Sequence, residues 1–194
     1  MNAEDVTGIV FCGGSGRRLG GVEKPLIEVA GRPLLAWVLE RLGKQVATVV
    51  LSGADGPAYA RFGCEIVPDR APGEGPLSGL ATAVEVTTTD WIFTCPGDTP
   101  YLAENLVELL AADAERVGVA VPHDGNRRQN LFLLMRRDRA ESLVRFFEQG
   151  GRAAHRWLDE NGIGVTDLSA IAGSFFNVNT PDDLEAWRQR AMDS

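Results

Sequence analysis

The chain reads as an α/β fold with a mainly parallel sheet covered on both faces. Two observations carry that prediction. Short apolar runs rich in β-branched residues alternate with segments whose apolar residues recur at helical spacing, the pattern of successive βαβ units. The first run, Val6-Thr7-Gly8-Ile9-Val10-Phe11-Cys12, has the composition of a buried strand and ends on glycines. No internal repeat or low-complexity linker interrupts the order, so residues 1–194 are read as a single domain.

The later elements follow in turn. From Pro33 to Leu42, apolar residues at 34, 35, 38, 39 and 42 have helical spacing. Ala47 to Leu51 is a second buried strand and Glu65-Ile66-Val67 a third. The Pro/Gly-rich stretch from Pro68 to Gly75 is a loop within the domain. Leu77, Leu80, Ala81 and Val84 form a helical stripe, and Trp91-Ile92-Phe93-Thr94-Cys95 returns to strand. Leu102, Leu106, Leu109 and Leu110 mark a further helix. Val117 to Val121 and Leu131 to Met135 are read as strands, 139–149 and 152–160 as helices. Thr180-Pro181-Asp182-Asp183 supplies a capping residue, a proline at the first helical position and acids in the first turn. It opens a last helix to about Ala191.

Composition narrows the function. A hydrophobic share of 44% beside 24% charged residues supplies a core and argues against disorder. No apolar run approaches the ~20 residues of a bilayer span. The acidic start Met1-Asn2-Ala3-Glu4-Asp5 does not resemble a secretory signal, so the cytoplasm is the expected address. Cys12, Cys64 and Cys95 are odd in number and form no CxxC pair, which argues against a disulfide framework and a zinc site. Cys12 and Cys95 lie in apolar runs and read as small core residues. A net charge of −8 without a Lys/Arg stretch argues against nucleic-acid binding. An acidic protein can still hold a phosphorylated small molecule, through a short, concentrated set of donors and a metal ion.

Such a set follows the first strand: Gly13-Gly14-Ser15-Gly16-Arg17-Arg18-Leu19-Gly20-Gly21-Val22-Glu23-Lys24. Glycines turn tightly and let amide N–H groups approach phosphate oxygens. A loop at the carboxyl edge of a parallel sheet stands where such folds bind ligands. Arg17, Arg18 and Lys24 add positive charge. The Walker pattern does not fit, because no Gly-Lys-Ser/Thr occurs, and GxGxxG fails because position 19 is leucine. The alternative reading of the loop is a glycine-rich surface turn with two solvated arginines.

The strand Trp91–Cys95 feeds into Pro96-Gly97-Asp98-Thr99-Pro100. A carboxylate there faces the crevice of the glycine loop. Mg²⁺ takes one or two protein carboxylates and completes its shell with substrate phosphates and water, so Asp98 is the expected metal ligand. The alternative is an Asp that caps the following helix.

The order GGxGxR…K, followed by an aspartate after a later strand, resembles the nucleotidyltransferase superfamily with a Rossmann-like fold. Within it, Gly75-Pro76-Leu77-Ser78-Gly79, Pro96-Gly97-Asp98-Thr99-Pro100 and Phe176-Asn177-Val178-Asn179-Thr180-Pro181-Asp182-Asp183-Leu184 resemble motifs of the molybdenum cofactor guanylyltransferases. The likeness runs from about Thr7 to Trp187. It implies a three-layer α/β/α fold with a mainly parallel, mixed sheet. It also implies transfer of GMP from GTP to the terminal phosphate of molybdenum-molybdopterin, with release of pyrophosphate. Phe11, Cys12 and Gly13 would hold GTP through backbone groups, Gly14, Gly16 and Arg17 its phosphates, and Lys24 the developing charge. Asp98 would bind Mg²⁺. Ser52 and Asp69 match nucleotide contacts, while Gly75, Pro76, Leu77 and Gly79 would shape the base pocket. Asn177 and Asn179 would serve the second substrate or organise the metal site, and Arg152 could reach an anionic substrate. Partners implied are the two substrates and proteins that deliver or accept the cofactor.

Several positions depart from the family pattern. Phe11-Cys12-Gly13-Gly14 stands where Leu-Ala-Gly-Gly is usual, Glu23-Lys24 where Asp-Lys is usual, Ser52 in place of Asn, and Gln129-Asn130 in place of His-Pro. His123 and His155 have no obvious partner, and His155 reads as a helix-surface residue. Trp37, Trp91, Trp157 and Trp187 read as packing, and Arg127, Arg128, Arg136 and Arg137 as solvated charges. Two rival readings stand beside guanylyl transfer. One is a sibling nucleotidyltransferase, using CTP with the same cofactor or acting on a sugar or polyol phosphate. The other is a catalytically silent nucleotide-binding regulator.

Overall fold

A computed structural model describes residues 1–13, 23–71, 73–180, 182, 183 and 185. The first strand, β1 (Val6–Phe11), is an interior strand of the main sheet. A short hairpin, β2 (Glu28–Val29) and β3 (Arg32–Pro33), leads into α1 (Leu34–Leu42), then β4 (Thr48–Ser52), the one-turn α2 (Pro57–Ala60) and β5 (Glu65–Val67). The chain crosses through α3 (Pro76–Val86) to β6 (Trp91–Pro96), and continues with α4 (Leu106–Val117), β7 (Val119–His123) and β8 (Leu134–Arg136). The helices α5 (Arg137–Glu148) and α6 (Ala154–Glu160) precede β9 (Gly164–Asp167).

The main sheet has seven strands in the order β5-β4-β1-β6-β8-β7-β9. Only β8 runs antiparallel to its neighbours β6 and β7; every other pairing is parallel. The chain builds outward from β1 to β5 on one side, then returns through α3 to β6 on the other. That reversal of direction opens a crevice outside the carboxyl ends of β1, β4 and β6, the place where open α/β sheets take their ligands.

Alternation along each strand sends side chains into two cores. Val6 and Val10 of β1 pack with Phe93 and Cys95 of β6 and with Leu35, Val38 and Leu42 of α1 and Leu106 and Leu110 of α4. Ile9, Val50 and Ile92 face the opposite layer, with Leu77 and Leu80 of α3, Leu143 of α5 and Trp157 of α6. Burying Leu35, Val38 and Leu42 contributes about 1.5–3 kcal/mol each, which is what holds a helix too short to persist alone. The three layers agree with the architecture the sequence implies.

Differences from the sequence reading have local causes. Leu102 is fully buried but precedes α4: its N–H closes a turn on Thr99, so its apolar signal reports packing, not helix phase. Val117 ends α4, Gly118 closes the helix, and β7 starts two residues later than expected. The edge strand β9 was not foreseen. Gly-Val-Thr-Asp carries one strongly apolar residue, Val165, and that one is 45% exposed. The hairpin β2–β3 was also missed, its pairing being only two residues long on each side. Of the last helix, only residues 182, 183 and 185 are described, and they are helical.

Candidate active site

Three strand ends converge in the crevice. The Cys12 N–H donates to the Ser52 carbonyl at 2.8 Å, and the Gly97 N–H to the Phe11 carbonyl at 2.9 Å. The backbones of Gly13 and Gly53 touch so closely that a Cβ on Gly53 would lie 3.0 Å from Gly13 Cα. The cleft above them has a volume of about 880 Å³. Of the residues expected in the site, Phe11, Cys12, Gly13, Lys24, Ser52, Asp69, Gly75, Pro76, Gly79, Asp98 and Asn177 line it. Gly53, Ala54, Asp55 and Leu131 also line it and were not anticipated. The first three sit one to three residues past the end of β4, and Leu131 lies in the turn three residues before β8, where the sequence reading had placed strand.

At one side of this cleft stand Lys24 and Asp98. The ammonium is 3.8 Å from the Asp98 carboxylate, with the side chains 22% and 15% exposed. Burial pushes the Asp98 carboxyl above its ordinary value, against the pull of Lys24 and of a backbone hydrogen bond. Lys24 donates to the Asn179 side-chain oxygen at 2.7 Å. Asn177 accepts from the Thr99 hydroxyl at 2.8 Å, and the Val178 N–H donates to the Asp98 carbonyl at 3.0 Å. The Asn177–Asn179 segment is therefore stitched to both charged residues. Asp98 does not cap the following helix, because α4 begins at Leu106.

The segment is itself pinned. The Asp183 carboxylate accepts the N–H groups of Asn179 and Thr180 at 2.9 and 2.8 Å, and the Thr180 hydroxyl accepts the Asp183 N–H at 3.1 Å. This reciprocal cap sets the register of Asn179.

On the opposite side, the Asp69 carboxylate accepts the Ala71 N–H at 3.0 Å and a short hydrogen bond from the Ser78 hydroxyl. The Ser52 hydroxyl, in a residue 1% exposed, has no hydrogen-bond partner among the described residues. Gly79 lies against it: a Cβ there would meet Ser52 Oγ at 2.4 Å. Burial raises the Cys12 thiol well above its usual range, so it packs as a neutral group at the cleft floor.

Two expected residues lie elsewhere. Leu77 is buried in the core between α3 and the sheet and does not line the cleft. Arg152 also lies outside the lining and pairs with Glu74 at 2.8 Å. His155 is exposed on α6, the helix-surface position read from the sequence. Gly14, Ser15, Gly16, Arg17 and Arg18 fall outside the described residues, as do Leu184 and Trp187.

Residues 8–163 match the family model for the MobA-like NTP transferase domain. The chain belongs to this family. A curated relative from Methylibium petroleiphilum, a molybdenum cofactor guanylyltransferase, is 39% identical over 95% of this chain and 96% of its own. One of the same name from Shewanella piezotolerans is 33% identical over 93% and 90%. Among solved structures, molybdopterin-guanine dinucleotide biosynthesis protein A from Archaeoglobus fulgidus superimposes with a TM-score of 0.80 at 24% identity, covering 97% of this chain and all of that one. This MobA-like domain is a nucleotidyltransferase by family. Among the described residues no helix is long and apolar enough to cross a membrane.

Proposed function

We propose that this MobA-like enzyme transfers GMP from GTP to the terminal phosphate of molybdenum-molybdopterin and releases pyrophosphate, a step of molybdenum cofactor biosynthesis. The observation that carries the reading is the meeting of Lys24, Asp98 and Asn179 beside the backbone ends of β1 and β6.

An acceptor phosphate oxygen attacks the α-phosphorus as the pyrophosphate oxygen leaves, so no protein nucleophile is required. Catalysis then rests on positioning and on neutralising charge. Lys24, aimed by Asn179, supports the charge that gathers on the phosphates. Gly13 and Gly53 bring backbone within reach of the nucleotide. Asp69, held by Ser78, and the Ser52 hydroxyl supply polar contacts on the nucleotide side. Arg17, with Gly14 and Gly16, is proposed for the phosphates on the sequence motif alone.

Asp98 fits a Mg²⁺ site. It is a single hard-oxygen donor, and among the described residues no group of three His, Cys, Asp or Glu competes for a metal. Its burial opposes the bare negative charge, which a cation would satisfy. When bound, the ion supplies Lewis-acid neutralisation of phosphate charge. The site is proposed to work in the cytoplasm, with transient contacts to proteins that deliver or accept the cofactor.

The test is a panel of GTP, CTP, UTP and ATP with Mg²⁺ and the molybdenum-loaded acceptor, read as pyrophosphate release. A clear preference for GTP is expected. Preference for CTP or UTP would transfer the enzyme to a sibling activity, and absence of pyrophosphate with every nucleotide would remove it from the transferases.

A further inference from the structure

The base-side wall of the cleft is a loop with little apolar anchoring. Asp69, Gly73, Gly75 and Pro76 line the cleft, yet Gly73, Glu74 and Gly75 are exposed. Such a segment opens easily unless something outside the core holds it. At its leading end, Asp69 is tied to Ser78, and Arg70 makes a two-point contact with Glu85 of α3 at 2.8 and 2.6 Å. At its trailing end Glu74 reaches across to Arg152, 2.8 Å away in the turn between α5 and α6.

Arg152 is well braced for that purpose. Its guanidinium donates to the carbonyls of Phe147 and Gly151 at 3.0 and 2.9 Å and stacks over the Phe147 ring, 4.5 Å from the centroid. The turn is packed so tightly that a Cβ on Gly151 would lie 2.2 Å from the Phe146 ring. The Arg152 carbonyl also approaches Gly75, whose φ of +92° and ψ of −179° few other residues tolerate.

We infer that Arg152 is a positioning residue that latches the nucleotide-side loop through Glu74. The inference rests on the proposed nucleotide site and reassigns Arg152 from the substrate contact its sequence position suggested. By holding the loop in its lining conformation before ligand arrives, the latch lowers the ordering cost of nucleotide binding. It does not touch the reacting atoms, so it acts on affinity and not on the chemical step.

The test compares wild type, Glu74→Ala, Arg152→Ala and the double variant that carries both alanines. Readouts are GTP binding with Mg²⁺, steady-state kinetics, and amide exchange across residues 69–75. Each single variant is expected to raise Kd and KM for GTP about two- to fivefold, the range of an exposed ion pair, with kcat unchanged. Exchange quickens in the loop and stays as in wild type in β1 and β6. The double variant loses no more affinity than Arg152→Ala alone, and the losses shrink at high salt. Unchanged GTP affinity and loop exchange in Glu74→Ala overturn the latch, as does a double variant whose loss is the sum of the two singles. Exchange that quickens equally in β1 and β6 also overturns it, by showing general loosening. Wild type that binds no nucleotide removes the functional reading, and the latch with it.

Discussion

Lys24 donates to Asn179 at 2.7 Å across 155 residues of chain, while the Asp98 carboxylate stays at 3.8 Å. The lysine is therefore held off its neighbouring acid by an amide. Removing the amide frees the ammonium to close on Asp98. Asn179→Ala is expected to lower kcat about 10- to 100-fold, the value of a hydrogen bond to a charged group, with a smaller change in nucleotide KM. Steady-state kinetics of the purified variant decide it; wild-type kcat would remove Asn179 from the mechanism.

Asp98→Asn should abolish Mg²⁺-dependent turnover yet stabilise the metal-free protein. Burial raises the folded pKa of this acid, so the native state favours its protonated form. The stability so gained is complete below the ordinary carboxylate value, about pH 4, and is lost as pH rises through the higher folded value. The amide has no charge to lose. The variant's Tm should thus gain on wild type between acid and neutral pH, and added Mg²⁺ should raise Tm in wild type only. Parallel Tm curves for the two proteins would contradict the account.

The cap on the Asn177–Asn179 segment gives a test at a distance. Asp183→Ala leaves the N–H groups of Asn179 and Thr180 without their carboxylate and costs about 1 kcal/mol. We expect kcat to drop several-fold with nucleotide affinity intact, and Asp183→Asn, which can still accept, to restore much of it. Equal kcat in the alanine variant and wild type would show that the cap does not reach Lys24.

Gly79→Ala presses a methyl against Ser52 Oγ at 2.4 Å, while Ser52 Cβ lies at an ordinary 3.7 Å. Overpacking of this kind costs about 1–3 kcal/mol. Removing the hydroxyl relieves it, so Gly79→Ala should be clearly less destabilising in a Ser52→Ala background. Denaturant unfolding of the four proteins measures the coupling, and additive losses would rule out the contact.

The sequence was most informative where one cause produced the pattern. Strands buried on both faces, such as Trp91–Pro96, are apolar because of the sheet alone, and their order implied the crevice. Glycines and acids at strand ends marked Gly13, Asp69 and Asp98 as candidates, and these line the same cleft. What stayed hidden depends on partners far along the chain. Asn179 announces neither that it holds Lys24 nor that Asp183 holds it. Arg152 looked like an anion ligand because nothing in its neighbourhood names Glu74, 78 residues earlier. Leu77 sat inside a motif that shapes the cleft, but helix phase turned its side chain to the core.

The joining of Thr99 to Asn177 and of Lys24 to Asn179 also bears on how the protein comes into being. A nascent chain can pair β1, β4 and β6 on the ribosome well before residues 177–179 have been made. At that stage Lys24 and Asp98 have no amides to separate them. The spacing of Lys24 and Asp98 is thus set by a segment that lies far from both along the chain.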